Sequence, residues 1–125
     1  MSMLALVIDD SMLIRHTVCR FLETRGFNVE TATDGIAALD ALKTMQPDLI
    51  ITDLQMPQLS GYQLIDTLKT DGKTAAIPIV VLAARPSTEV PLDTRVHTII
   101  YKDLNVEEQL DQALESLFPG LPALT

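Results

Sequence analysis

PDLIITDLQMPQLSG, residues 47–61, is the stretch on which the fold turns. Its apolar part, residues 49–52, is short and β-branched and lacks the polar alternation of a half-exposed strand. It therefore reads as a strand covered on both faces. Pro47 blocks the continuation of any helix before it, and an acid, Asp53, stands at the strand's end. A sheet covered on both sides needs helices on both faces, which predicts strands and helices alternating along the chain.

The flanking sequence meets that expectation. Short apolar runs recur at residues 4–8, 79–83 and 98–101, and a more alternating run lies at 28–32. Helical periods fall between them: Ile14, Val18, Phe21 and Leu22, then Ile36, Leu39, Leu42 and Met45. A third short helix is predicted over 62–68. A last one covers 106–117, with Val106, Leu110, Ala113, Leu114 and Leu117 on one face. Gly26 stands where a helix end needs a left-handed residue. The fold class is therefore α/β, a doubly wound five-stranded parallel sheet with right-handed crossovers and helices on both faces. The strand order 2-1-3-4-5, flavodoxin-like, is taken by analogy with other five-stranded doubly wound proteins. Residues 84–97 carry Pro86 and Pro91 with little apolar period. An interior proline costs a helix about 3 kcal/mol or more, so the fourth helix is expected to be short or absent.

At 125 residues the chain fits one domain, expected over 1–118 with a C-terminal tail at 119–125. A formal net charge of -8 argues against direct nucleic-acid binding, which needs a basic surface to displace counterions. No apolar stretch is long enough to span a bilayer and the N-terminus lacks a basic leader region, so no membrane association and a cytoplasmic location are expected. The single cysteine, Cys19, reads as a structural thiol in an apolar helical stretch. His16 and His97 have no metal-ligand spacing and read as surface residues. Arg85 reads as a solvent-facing loop residue, and Glu107, Glu108, Asp111 and Glu115 as the solvated face of the last helix.

Ligands of a parallel α/β sheet bind beyond the carboxyl ends of its strands. Asp9 and Asp10 end the first strand, Asp53 the third and Lys102 the fifth. Carboxylates gathered there repel one another unless a cation settles among them, and a hard, oxygen-seeking ion such as Mg²⁺ is the natural choice. The chemistry that follows is phosphoryl transfer: Asp53 attacks phosphorus, Asp9 and Asp10 help hold the metal, and Lys102 neutralises a phosphoryl oxygen. Helix capping by Asp10 or Ser11 is the plain alternative for the first acids. It does not account for acids at two strand ends and a lysine at a third.

VIDDS at 7–11, PDLIITDLQMPQLSG at 47–61, IPIVVLAA at 77–84 and IIYKD at 99–103 together resemble the receiver domain of two-component response regulators. The likeness covers nearly the whole chain. It implies that Asp53 is the phosphoacceptor and that Asp9, Asp10, Asp53 and the main-chain carbonyl of Gln55 hold Mg²⁺. It also implies that Lys102 contacts the phosphoryl group. A histidine kinase or phosphotransfer protein would donate the phosphoryl group, and a downstream protein would receive the signal. Such domains catalyse their own phosphorylation and dephosphorylation and are not otherwise enzymes.

The departures concern the switch. Ala83 stands where relatives have Thr or Ser, Ile99 replaces the switch aromatic, and Asp103 replaces the proline that usually follows the lysine. The altered face is the one through which receivers often pair, which leaves a homodimer open. An interaction module of receiver fold that works without phosphorylation is the alternative reading. A haloacid-dehalogenase-type phosphatase ranks below it, because Gln55 stands where that family has a general acid. A flavin protein ranks equally low, because IDDSM would repel a flavin phosphate.

Overall fold

The computed structural model describes residues 3–54, 61–84, 96–102 and 105–119. The strands are β1 (Met3–Ile8), β2 (Phe27–Ala32), β3 (Leu49–Asp53), β4 (Ile79–Ala83) and β5 (Thr98–Tyr101). The helices are α1 (Met12–Thr24), α2 (Gly35–Ala41), α3 (Gly61–Thr70) and α4 (Val106–Leu117). All four strand pairings are parallel, in the order β2-β1-β3-β4-β5, as the sequence led us to expect.

Side-chain alternation along the strands splits the core into two layers. Ala5, Val7, Leu49, Ile51, Val80, Leu82 and Ile100 face α1 and α4, meeting Val18, Leu22, Leu110 and Leu114. Leu6, Ile8, Ile50, Ile79 and Val81 face α2 and α3, meeting Ala38, Leu64, Ile65 and Leu68. Each fully buried aliphatic side chain is worth about 1.5–3 kcal/mol, so the central strands carry much of the burial that holds the fold.

Local details follow from individual residues. Gly26 adopts φ 90°, the left-handed conformation that lets α1 stop and β2 begin. α2 is shorter than its apolar period: it ends at Ala41, after which Lys43 and Thr44 donate their amides to Asp40 and Ala41 three residues back. Pro47 excludes helical geometry for the residue before it, which tightens this exit, while Met45 still packs on the lower layer. α3 extends beyond the predicted span at both ends. Of the proline-bearing segment 84–97 expected to weaken the fourth helix, residues 85–95 lie outside the described residues, as do Gln55 and Asp103. No described helix is long and apolar enough to cross a membrane.

Parallel pairing brings every strand's carboxyl end to one edge, and the register fixes which ends meet. Ile8 pairs with Thr52, Asp53 with Leu82, and Ala83 with Tyr101. The residues just past β1 and β5 therefore flank the last residue of β3.

Candidate functional site

Asp9 is fully buried and restrained at every polar atom but one. Its N–H donates to Ala32 O at 3.1 Å, its carbonyl accepts from Arg15 Nη1 at 2.7 Å, and its Oδ1 accepts from Ser11 N–H at 2.8 Å. Oδ2 lies 2.8 Å from Lys102 Nζ, an ion pair by distance, yet no donor is aligned on this buried oxygen as a hydrogen bond. Lys102 Nζ also lies 3.2 Å from Asp53 Oδ1, so one ammonium bridges the tips of β1 and β3. Burial works against that ammonium. Close contact with Asp9 and the charges of Asp53 and Asp9 outweigh it and hold Lys102 above the ordinary lysine value.

Asp9, Asp10 and Asp53 each offer a carboxylate oxygen, and these atoms lie within 4.8 Å of one another. The capping alternative is resolved in favour of Ser11, whose Oγ accepts from Ile14 N–H at 3.4 Å, so Asp10 is not the cap of α1. Among the described residues, three carboxylates gather around the one ammonium of Lys102. A buried, unaligned Asp9 Oδ2 is the kind of oxygen a cation satisfies. The donor set is all oxygen, which fits a hard divalent ion such as Mg²⁺ and not a thiophilic one.

Ala83 and Ile99, the two residues expected at switch positions, lie near this edge. Ala83 closes β4 beside the cluster, only 4% exposed and without a hydroxyl, and its carbonyl accepts from Lys102 N–H at 2.8 Å. Ile99 is half-buried against the α2–α3 layer.

Other expectations divide. His16 and His97 are exposed. Cys19 is half-buried against the α1–α4 layer, and burial, then the charge of Glu23, push its thiol up. Glu107, Glu108 and Glu115 face solvent, and Asp111, its side chain 44% exposed, also pairs with the buried Arg25 just past α1. Two site-related residues went unread in the sequence. Arg15 clasps the Asp9 carbonyl, and an arginine one turn into the helix that follows paired acids was the available signal. Gln109 hydrogen-bonds the main chain of Tyr101, and nothing in the apolar period of α4 marked it.

A parallel sheet with acids on two adjoining strand ends and a lysine on a third defines a class of small α/β proteins built to hold charge at one sheet edge. Residues 5–115 match the family described as the response regulator receiver domain, and the chain belongs to that family, among the response regulators of two-component systems. It is 35% identical over 113 residues to response regulator MprA of Mycobacterium bovis, an alignment covering 88% of this chain and 48% of that protein. The chain thus spans about half the length of the curated relatives it matches. Chemotaxis response regulator CheY4 of Vibrio cholerae superposes with a TM-score of 0.85 at 28% identity, covering 94% of this chain and 100% of that one. A response regulator receiver protein from Pseudomonas putida gives a TM-score of 0.81 at 27% identity, covering 93% and 98%.

Proposed function

We propose that this receiver accepts a phosphoryl group on Asp53 from a histidine kinase or phosphotransfer protein and signals through protein contacts. The observation that carries the reading is the convergence of Asp9, Asp10 and Asp53 oxygens within 4.8 Å, with Lys102 Nζ between two of them. An Asp53 carboxylate oxygen forms the new bond to phosphorus as the donor's bond to phosphorus breaks, leaving an acyl phosphate on the protein and the donor group free. Lys102 stays protonated and offsets negative charge on a phosphoryl oxygen. Asp9 and Asp10, with Asp53 and the main-chain carbonyl of Gln55, would hold Mg²⁺. The ion, when bound, neutralises the carboxylates and the incoming phosphoryl oxygens. Ser11 and Arg15 keep Asp9 oriented, so little reorganisation is needed when the donor arrives. We place the receiver over residues 1–118, with 119–125 as a tail.

The test is intact-mass measurement after incubation with Mg²⁺ and acetyl phosphate, alongside a receiver known to label. One phosphoryl adduct on the native chain, and none on Asp53→Asn, supports the reading. A native chain that stays unlabelled while the control labels refutes it. Ala83 favours a second reading in that event, an interaction module that works unphosphorylated, because no hydroxyl closes β4 to follow a phosphoryl group.

A further inference from the structure

Tyr101 turns its main-chain N–H and C=O away from the sheet. The next residue, Lys102, donates its N–H inward to Ala83 O of β4 at 2.8 Å, and the hydrogen-bonding groups of successive strand residues point to opposite sides. β5 is the last strand of the sheet, so this outward pair belongs to an open edge of the kind that recruits foreign strands. Gln109 closes it. Four residues past the Asn105 cap of α4, its Oε1 accepts from Tyr101 N–H at 3.0 Å and its Nε2 donates to Tyr101 O at 3.0 Å. The same Nε2 reaches Asn105 O at 3.3 Å. A primary amide carries a donor and an acceptor side by side, as a peptide edge does, and this one stands in for a neighbouring strand.

The closed position adjoins the residue that matters. Lys102 must deliver an ammonium on a flexible four-carbon stem to a point between Asp9 and Asp53, with its side chain only 18% exposed. The residue after it is Asp103, which does not bring the fixed φ of a proline. Among the described residues, main-chain hydrogen bonds on both sides restrain the strand tip. The inward one from Lys102 N–H holds a single point, and the Gln109 pair, on the opposite side and one residue back, stops the tip from twisting about it.

We propose that Gln109 is a positioning residue for Lys102: by closing the outer edge of β5 at Tyr101, it fixes the strand tip from which the ammonium reaches Asp9 and Asp53. Its consequence for phosphoryl transfer rests on the function proposed above, while its effect on Lys102 does not.

The experiment compares the native chain with Gln109→Leu, which keeps bulk and helix propensity, and with Gln109→Glu, which keeps the acceptor and loses the donor. Hydrogen exchange at Tyr101 N–H should accelerate at least tenfold in Gln109→Leu and less in Gln109→Glu. Acetylation of Lys102 by an amine reagent, read by peptide mass, should rise several-fold in Gln109→Leu against an unchanged Lys43, whose side chain is 75% exposed. Labelling of Asp53 by acetyl phosphate should fall several-fold in Gln109→Leu, with no further fall when Lys102→Ala is already present. Lys102 reactivity equal to the native chain, with Tyr101 exchange accelerated, would overturn the proposal and leave Gln109 as edge cover alone. Unchanged Tyr101 exchange would overturn it at the first step. If Gln109→Leu fails to fold, the same comparisons on Gln109→Glu decide. An unlabelled native chain whose Lys102 still becomes reactive in the variants refutes the phosphoacceptor reading and supports the positioning role.

Discussion

The two halves of the site are built on different terms. At the tips of β1 and β3 stand Asp9, Asp10 and Asp53, and Asp9 is restrained by Ala32, Ser11 and Arg15. At the tips of β4 and β5 Lys102 stands near Ala83 and Ile99, neither of which carries a hydroxyl or a ring, and Gln109 clasps the strand end. Holding charge and responding to it are separable requirements. The first needs oxygens and an ammonium at fixed distances; the second needs side chains that gain a new partner when the charge changes. This chain gathers oxygens and an ammonium for the first, and under the proposed function Ala83 and Ile99 leave it without a hydroxyl or an aromatic for the second.

The largest effect that could break this comparison is on labelling itself: Asp53→Asn should abolish the phosphoryl adduct, and Asp10→Asn should slow labelling by at least tenfold. Next comes stability in EDTA. Lys102→Met leaves Asp9 buried without its counter-ion, and a loss of about 3–5 kcal/mol is expected from urea unfolding. That contribution has a definite pH dependence. Lys102 is raised in the folded chain relative to its ordinary value of 10.5, so the stabilisation is complete below that value and lost as pH climbs through the elevated one. The gap between native and Lys102→Met midpoints should stay level below pH 10 and narrow above it; a gap that widens with alkalinity would contradict the ion-pair geometry.

Magnesium sharpens the same contrast at smaller scale. At a hundredfold excess over its dissociation constant, a ligand that binds only the folded state adds about 2.7 kcal/mol, and chelation should remove it. Asp10→Asn should lose most of that increment while melting above the native chain in EDTA, because one repelling charge is gone. The smallest effect concerns the response half. On labelling, amide shifts in the native chain should centre on residues 8–10 and 52–54 and leave 77–82 little changed; shifts concentrated along β4 would show that Ala83 does not limit the response. Ala83→Ser should spread them into β4 at a stability cost of about 1–3 kcal/mol before labelling, because the added hydroxyl is buried.

Much of this was legible from residue order. The parallel sheet was readable because strands buried on both faces must be continuously apolar, and residues 4–8, 49–52 and 79–83 are. The acids were readable because parallel strands put all their carboxyl ends at one edge. The end of α2 was misjudged because Leu42 and Met45 keep the helical period while the chain has already left the helix on its way to Pro47. The pairing of Asp111 was not legible because its partner, Arg25, the C-cap of α1, lies 86 residues away in sequence.

What the sequence determined by itself is the inventory and the edge: which strands exist, which way they run, and which side chains reach one end. Periodicity carries that information because it is local and repeats. The folded structure alone decided what each group touches there: Ser11 and not Asp10 as the cap, Arg15 on the Asp9 carbonyl, Lys102 between two carboxylates, Gln109 on Tyr101. Each of these depends on ångström-scale distances between distant segments, and hydrogen bonds and ion pairs, unlike hydrophobic burial, exist only when those distances and angles are met.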